Sequence, residues 1–220
     1  PVTAPPERTR EEPSVALAIV IDTSGSMAGT PLELAKQVAR LSVRALTPQD
    51  TVGVVEFYGG RQWVAPLQPA RNAVEIERAV SRVQAQGGTV LFPALEEAYY
   101  GLKGLDARFK HVLVISDAGV NEGRYEQLIR QMAQDRITVS AVRVGDDDDG
   151  EARMALWARL GRGRYYAVQD EFGLVQLDLR QPRETPRPGY QPGAVAVAAG
   201  ASAPRLGAAG APPPIQGYAR

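Results

Sequence analysis

Residues 15–27 read VALAIVIDTSGSM: seven apolar residues, then an acid, then two serines at alternate positions. A short, unbroken apolar run rich in Val and Ile reads as a strand buried on both faces. It stops at Asp22, which places a carboxylate at the carboxyl end of that strand. In an open α/β sheet this is the edge where ligands bind, close to the point where strand order reverses.

The rest of the chain supports such a sheet. Leu34, Val38, Leu41 and Ala45 recur at helical spacing and predict a helix over 31–46, with Thr30 as its cap and Pro31 in the first turn. Thr51–Phe57 (TVGVVEF) predicts a second strand, with a short hairpin partner over 62–64. Further helices are expected over 73–83, 91–102, 124–134, 151–160 and 172–179. Strands are expected over 111–116, 137–144 and 164–167. Strands alternating with helices argue for a doubly wound, mostly parallel six-stranded α/β sheet, Rossmann-like, with helices on both faces and one short antiparallel edge strand. Residues 1–14 (PVTAPPERTREEPS) read as a charged, Pro-rich linker, 15–181 as the domain, and 182–220 as an extended Pro/Gly/Ala-rich tail.

Composition removes several functions. Lys plus Arg number 25 and Asp plus Glu number 25, so there is no basic excess of the kind nucleic-acid binding needs. Cysteine is absent, which excludes disulfides, thiolate metal sites and Cys nucleophiles. No apolar run approaches the ~18 residues of a membrane span, and no GxGxxG or GxxxxGK[ST] stretch supports nucleotide binding. The chain opens on Pro1 without a signal peptide and reads as a fragment of a longer protein. His111, the only histidine, sits at the amino end of its strand, far from Ser24 and Ser26, and reads as structural. Trp63 and Trp157 read as core or edge residues, and Tyr165 and Tyr166 as alternating faces of the last strand. Residues 146–149 (DDDD) read as a solvated loop, since calcium loops space their acids alternately.

What remains is a set of oxygen donors. Asp22 ends one strand and Asp117 another; if the two strands are neighbours, both carboxylates face one crevice. Ser24 and Ser26 alternate with Asp22 in an extended loop and point the same way. Thr89 closes Gly87-Gly88-Thr89, just before a helix. With no imidazole or thiol among them, these hard donors suit Mg²⁺, Mn²⁺ or Ca²⁺. Only two formal negative charges face the dication, leaving it Lewis acidity for an outside anion.

Asp22-Thr23-Ser24-Gly25-Ser26, Gly87-Gly88-Thr89 and Asp117 together resemble the metal-ion-dependent adhesion site of von Willebrand factor type A domains, a likeness spanning about residues 14–180. The resemblance implies direct ligation by Ser24, Ser26 and Thr89, action largely through water by Asp22 and Asp117, and an Asp or Glu of a protein partner completing the shell. Partner contact is then expected at Gly25, Met27, Gly88 and Val90. Two positions depart from bacterial members: Val90, often Asp or Asn there, and Ala118, in place of the Gly of an Asp-Gly pair. The runs GTPLELAK, GGTVLFPALEEAY and KHVLVISD, with the tail's APPPIQGY, also resemble the domain embedded in large bacterial membrane proteins with a glutamine-amidotransferase-like region, so adjoining domains are expected partners.

The expected function is a non-enzymatic, cation-dependent interaction module. Two alternatives stand beside it. One is a metal-dependent phosphoryl-transfer or hydrolytic enzyme, which would want an acid where Ser24 stands. The other is a structural spacer with a vestigial site.

Overall fold

β1 (Val15–Asp22) is the central strand, which is why it could be written almost without polar residues: all eight of its residues are buried. A computed structural model describes residues 14–119, 123–145 and 150–170, all within the first of two units into which the chain divides, Pro1–Gln181. After β1 come α1 (Thr30–Arg44), β2 (Thr51–Phe57), β3 (Arg61–Pro69), α2 (Ala73–Ser81), α3 (Leu91–Lys103), β4 (Phe109–Ser116), α4 (Tyr125–Gln134), β5 (Ile137–Val144), α5 (Glu151–Leu160) and β6 (Arg162–Val168). One six-stranded sheet runs in the order β3-β2-β1-β4-β5-β6. β3 pairs antiparallel with β2, and every other pair is parallel. The chain leaves β1 toward β2 on one side and returns to β4 on the other, so strand order reverses at β1.

Alternation along β1 builds two cores. Ala16, Ala18 and Val20 join Leu91, Leu95 and Tyr99 of α3 with residues of α4 and α5 on one face. Leu17, Ile19 and Ile21 join Leu34, Val38 and Val43 of α1 with Ile76 and Val80 of α2 on the other. The two alanines keep the first face shallow, and α3 lies directly against β1 there.

Several expected bounds shift: α2 ends at Ser81 and not 83, β4 begins at Phe109 and not 111, and β6 begins at Arg162 and not 164. Three further expectations need correction. Thr30 is the first helical residue and not the cap; Gly29 takes that position with φ 87°, and Pro31 does sit in the first turn. Helix α1 also ends at Arg44, short of the expected Leu46. The partner of β2 is longer than the expected 62–64 because β3 continues to Pro69 through an irregularity between the Val54–Ala65 and Val52–Gln68 pairs. Exposed Pro66 falls inside it, where the edge strand needs no ladder N–H. Residues 1–13 of the expected linker 1–14, the expected helix over 172–179, the tail over 182–220 and the acidic run 146–149 lie outside the described residues. Among the described residues no helix is long and apolar enough to cross a membrane.

Candidate metal centre

β1 and β4 are adjacent, with Ile21 beside Ile115, so Asp22 and Ser116 end neighbouring strands on the face that carries Ala18, Val20 and Val114. The Asp22 carboxylate is fully buried. It accepts the Ser24 N–H at 2.9 Å on Oδ1 and the Ser116 hydroxyl at 2.6 Å on Oδ2. Ser116 Oγ in turn accepts the Ala118 N–H at 3.0 Å. Burial pushes the Asp22 carboxyl up from 3.8 to about 6; the bonds from Ser116 and Ser24 pull the other way, and the nearby charge of Asp117 adds to the rise. A carboxylate held this way is costly on its own and gains from any cation placed beside it.

Ser24 and Ser26 flank the start of a single 3-10 turn, Gly25–Met27. Their hydroxyl oxygens lie 3.1 Å apart, Ser24 buried and Ser26 open to solvent. Asp117, half-buried, accepts the Gly119 N–H on Oδ1 at 3.0 Å. A Cβ placed on Gly119 would meet both Asp117 Oδ1, at 3.3 Å, and Ser26 Oγ, at 3.9 Å. Those two oxygens therefore border the same small space.

The loop carrying Thr89 is fastened to the same edge by backbone. The Gln86 N–H reaches the Thr23 carbonyl at 2.6 Å, the Gly59 N–H the Gly87 carbonyl at 2.7 Å, and the Val90 N–H the Tyr58 carbonyl at 2.7 Å. Gly88 has φ 79°, and a Cβ there would lie 2.6 Å from Gly59 Cα. Glycine is thus required twice over, by backbone angle and by the approach of the turn after β2. Thr89 sits half-buried in this anchored loop.

Gly25, Gly88 and Val90 are exposed on this edge. Met27 is not: its side chain has no accessible surface and packs among Ile21 and Leu34, because the 3-10 turn rotates it inward. The expectation that Met27 touches a partner is corrected accordingly. Ala118 adopts φ 76°, a left-handed conformation that costs a non-glycine residue roughly 1–2 kcal/mol. Its methyl is buried in the core beside Tyr125 and Met154.

Sequence reasoning missed Ser116. It was read only as the last residue of a strand, yet its hydroxyl links the Asp22 carboxylate to the turn after β4. The signal was present in the alternation, which puts Ser116 on the same face as Asp22. Thr23 was also passed over; its hydroxyl and N–H both donate to the Phe57 carbonyl, tying the serine loop to β2. His111 lies at the far end of β4, its Nδ1 2.6 Å from Thr138 Oγ1, and burial pushes its imidazole down to about 4.

Among the described residues no three His, Cys, Asp or Glu side chains gather to hold a metal. The donors here are of another kind: two carboxylates with serine and threonine hydroxyls. That set fits a hard cation and not zinc.

The Escherichia coli (strain K12) protein YfbK is 28% identical over 172 residues, covering 74% of this chain and 30% of its own length. The chain spans about a third of the length of YfbK and of the Synechocystis protein sll0103, to which it is 31% identical over 134 residues, 59% of this chain. BatB from Bacteroides thetaiotaomicron superposes with a TM-score of 0.65 at 21% identity, covering 74% of this chain and 94% of BatB. A von Willebrand factor type A protein from Catenulispora acidiphila gives 0.66 at 22% identity, covering 74% of this chain and 41% of that one. At these identities the superpositions speak for the fold. Residues 16–180, three quarters of the sequence, match the von Willebrand factor type A domain, and the chain belongs to that family.

Proposed function

We propose that this domain is a divalent-cation-dependent protein-interaction module that captures a carboxylate of its partner. Ser24, Ser26 and Thr89 would hold Mg²⁺ or Mn²⁺, with Asp22 and Asp117 behind them. When bound, the cation supplies a Lewis-acidic position for an anionic oxygen from outside. The observation that carries the reading is Asp22: a fully buried acid, drawn up to about 6 by burial, beside two serine hydroxyls 3.1 Å apart. Acids raised this way by burial, with a second acid beside them, cluster at functional sites. The remaining residues orient these donors. Ser116 and the Ser24 N–H fix the Asp22 rotamer, Thr23 ties the serine loop to β2, and the Gly59–Gly87 bond holds the Thr89 loop. The adjoining domains of a longer parent protein are natural candidates for the partner.

The test uses metal alone. Titration calorimetry and thermal unfolding with Mg²⁺ and Mn²⁺ should show binding and a rise in melting temperature, both lost in Asp22→Ala and reversed by EDTA. No heat and no thermal shift at millimolar metal would return the site to a vestigial one. Magnesium-dependent turnover of a phosphate ester, lost in Asp22→Asn, would favour the enzyme instead.

A further inference from the structure

A cleft of about 360 Å³ opens between edge strand β3 and helix α3. Its mouth adjoins the loops of the candidate metal edge. Arg61 begins β3 directly after the Gly59–Gly60 turn that is bonded to Gly87, and Pro93 lies in the first turn of α3 just beyond Thr89. Two aromatic side chains line it. The Trp63 indole is half-buried against bare Gly101 backbone, where a Cβ would come within 3.6 Å of the ring. Tyr100 is 63% exposed as a residue, and its ring lies beside that of Tyr99, their centroids 4.8 Å apart.

Two adjacent acids also line it, in different states. Glu97 is committed: Arg61 Nε donates to one oxygen at 2.8 Å and Trp63 Nε1 to the other at 3.1 Å, and these bonds draw its carboxyl below the usual range. Glu96 makes no hydrogen bond or ion pair among the described residues, though it is half-buried. With Arg61 answered by Glu97, the remaining charge of the cleft is negative. Aromatic faces beside an unanswered carboxylate are the chemistry that recognises an organic cation. A planar guanidinium suits it best, since it can stack on an indole or phenol while its N–H groups reach a carboxylate.

We propose that this cleft binds the side chain of an arginine, or less well a lysine, presented by a protein partner. It forms a second contact beside the metal edge and makes the domain selective for segments that carry a cation near the captured acid. That the cation belongs to the same partner rests on the proposed function; the cleft itself needs no metal.

The experiment is an NMR titration of ¹⁵N-labelled chain with N-acetyl-arginine amide, with the neutral isostere N-acetyl-citrulline amide as control, in EDTA. The chain has two tryptophans, so the Trp63 indole N–H can be followed against buried Trp157. The arginine amide should move the Trp63 signal along a saturating curve, with a dissociation constant on the order of tens of millimolar or weaker, the scale of one exposed cation–π contact and one exposed ion pair. Citrulline should leave it still, Trp157 should not respond, and Glu96→Gln should weaken binding severalfold. No saturable movement, equal movement with citrulline, or full affinity in Glu96→Gln would overturn the proposal. An arginine response in a chain that shows no heat with Mg²⁺ would uphold the cleft and count against the metal reading alone.

Discussion

Asp50 and Asp22 lie at opposite edges of the sheet, Asp50 just before β2 and Asp22 at the end of β1, and both are buried. At the amino edge, Asp50 accepts the Val15 N–H at 2.8 Å, the Thr47 N–H at 2.7 Å and the Thr47 hydroxyl at 2.9 Å. Those bonds lock the chain entering β1 to the turn entering β2. At the carboxyl edge, Asp22 has two donors, a second acid nearby and a carboxyl pushed up to about 6. One buried acid closes a set of hydrogen bonds; the other is left costly. What separates two equally buried acids is what surrounds them, not how deep they lie.

Removing each acid should make that difference measurable. Asp50→Ala strands the buried Val15 N–H and the half-buried Thr47 N–H and is expected to lower unfolding free energy by roughly 3 kcal/mol in urea, while the fraction still folded keeps its response to Mg²⁺. Asp22→Asn should do the reverse. With its carboxyl raised from 3.8 to about 6, wild-type Asp22 carries its full cost above pH 6 and none below 3.8. The variant should therefore be more stable than wild type by up to about 3 kcal/mol at pH 8 without metal, and should lose the thermal shift with metal. Equal destabilisation by both substitutions would erase the contrast.

The pH dependence of His111 sharpens it. Burial holds this imidazole near 4 against 6.5 in the unfolded chain, so the unfolded chain binds a proton that the folded one refuses. Stability is lost as pH falls from 6.5 to 4, while Asp22 contributes a gain as pH falls from 6 to 3.8; the two oppose each other over most of that window. His111→Gln, read by urea unfolding, should remove the loss and gain about 2–3 kcal/mol on wild type at pH 4.5 relative to pH 8. The smallest stability effect is expected at Ser24→Ala, under about 1 kcal/mol without metal, since its hydroxyl faces Ser26 and the Asp22 carboxylate, which keeps the Ser116 hydroxyl and the Ser24 N–H. Metal affinity should nevertheless fall at least about tenfold by calorimetry. Loss of stability without loss of affinity would make Ser24 a structural residue.

Much of the architecture was readable because each element carries its own period. The apolar run at 15–21 and the Val- and Ile-rich stretch at 137–144 declared parallel strands, and β2, β5 and α5 fall where predicted. Boundaries failed where the cause is not local. Gly29 replaces Thr30 as cap because the 3-10 turn before it sets the entry angle of α1, and β3 outruns its predicted span because β2 offers it a partner through an irregular register. Within the candidate site the strand-end position of Asp22 and the loop positions of Ser24, Ser26 and Thr89 were legible; the burial of Met27 was not, since a turn following a strand gives no sign of which way its side chains rotate. Ser116 went unnoticed because its importance lies in a bond to a residue 94 positions away.

The sequence alone determined which atoms are available: two strand-end carboxylates, hydroxyls at alternate positions, a Gly-Gly loop and no soft donor to compete with them. Tertiary structure decided what those atoms are worth. Placing β4 beside β1 buries Asp22 under Ser116, and seating Gly88 on Gly59 brings the Thr89 loop to the same edge. Burial and distance are properties of neighbours, and a linear chain does not name its neighbours.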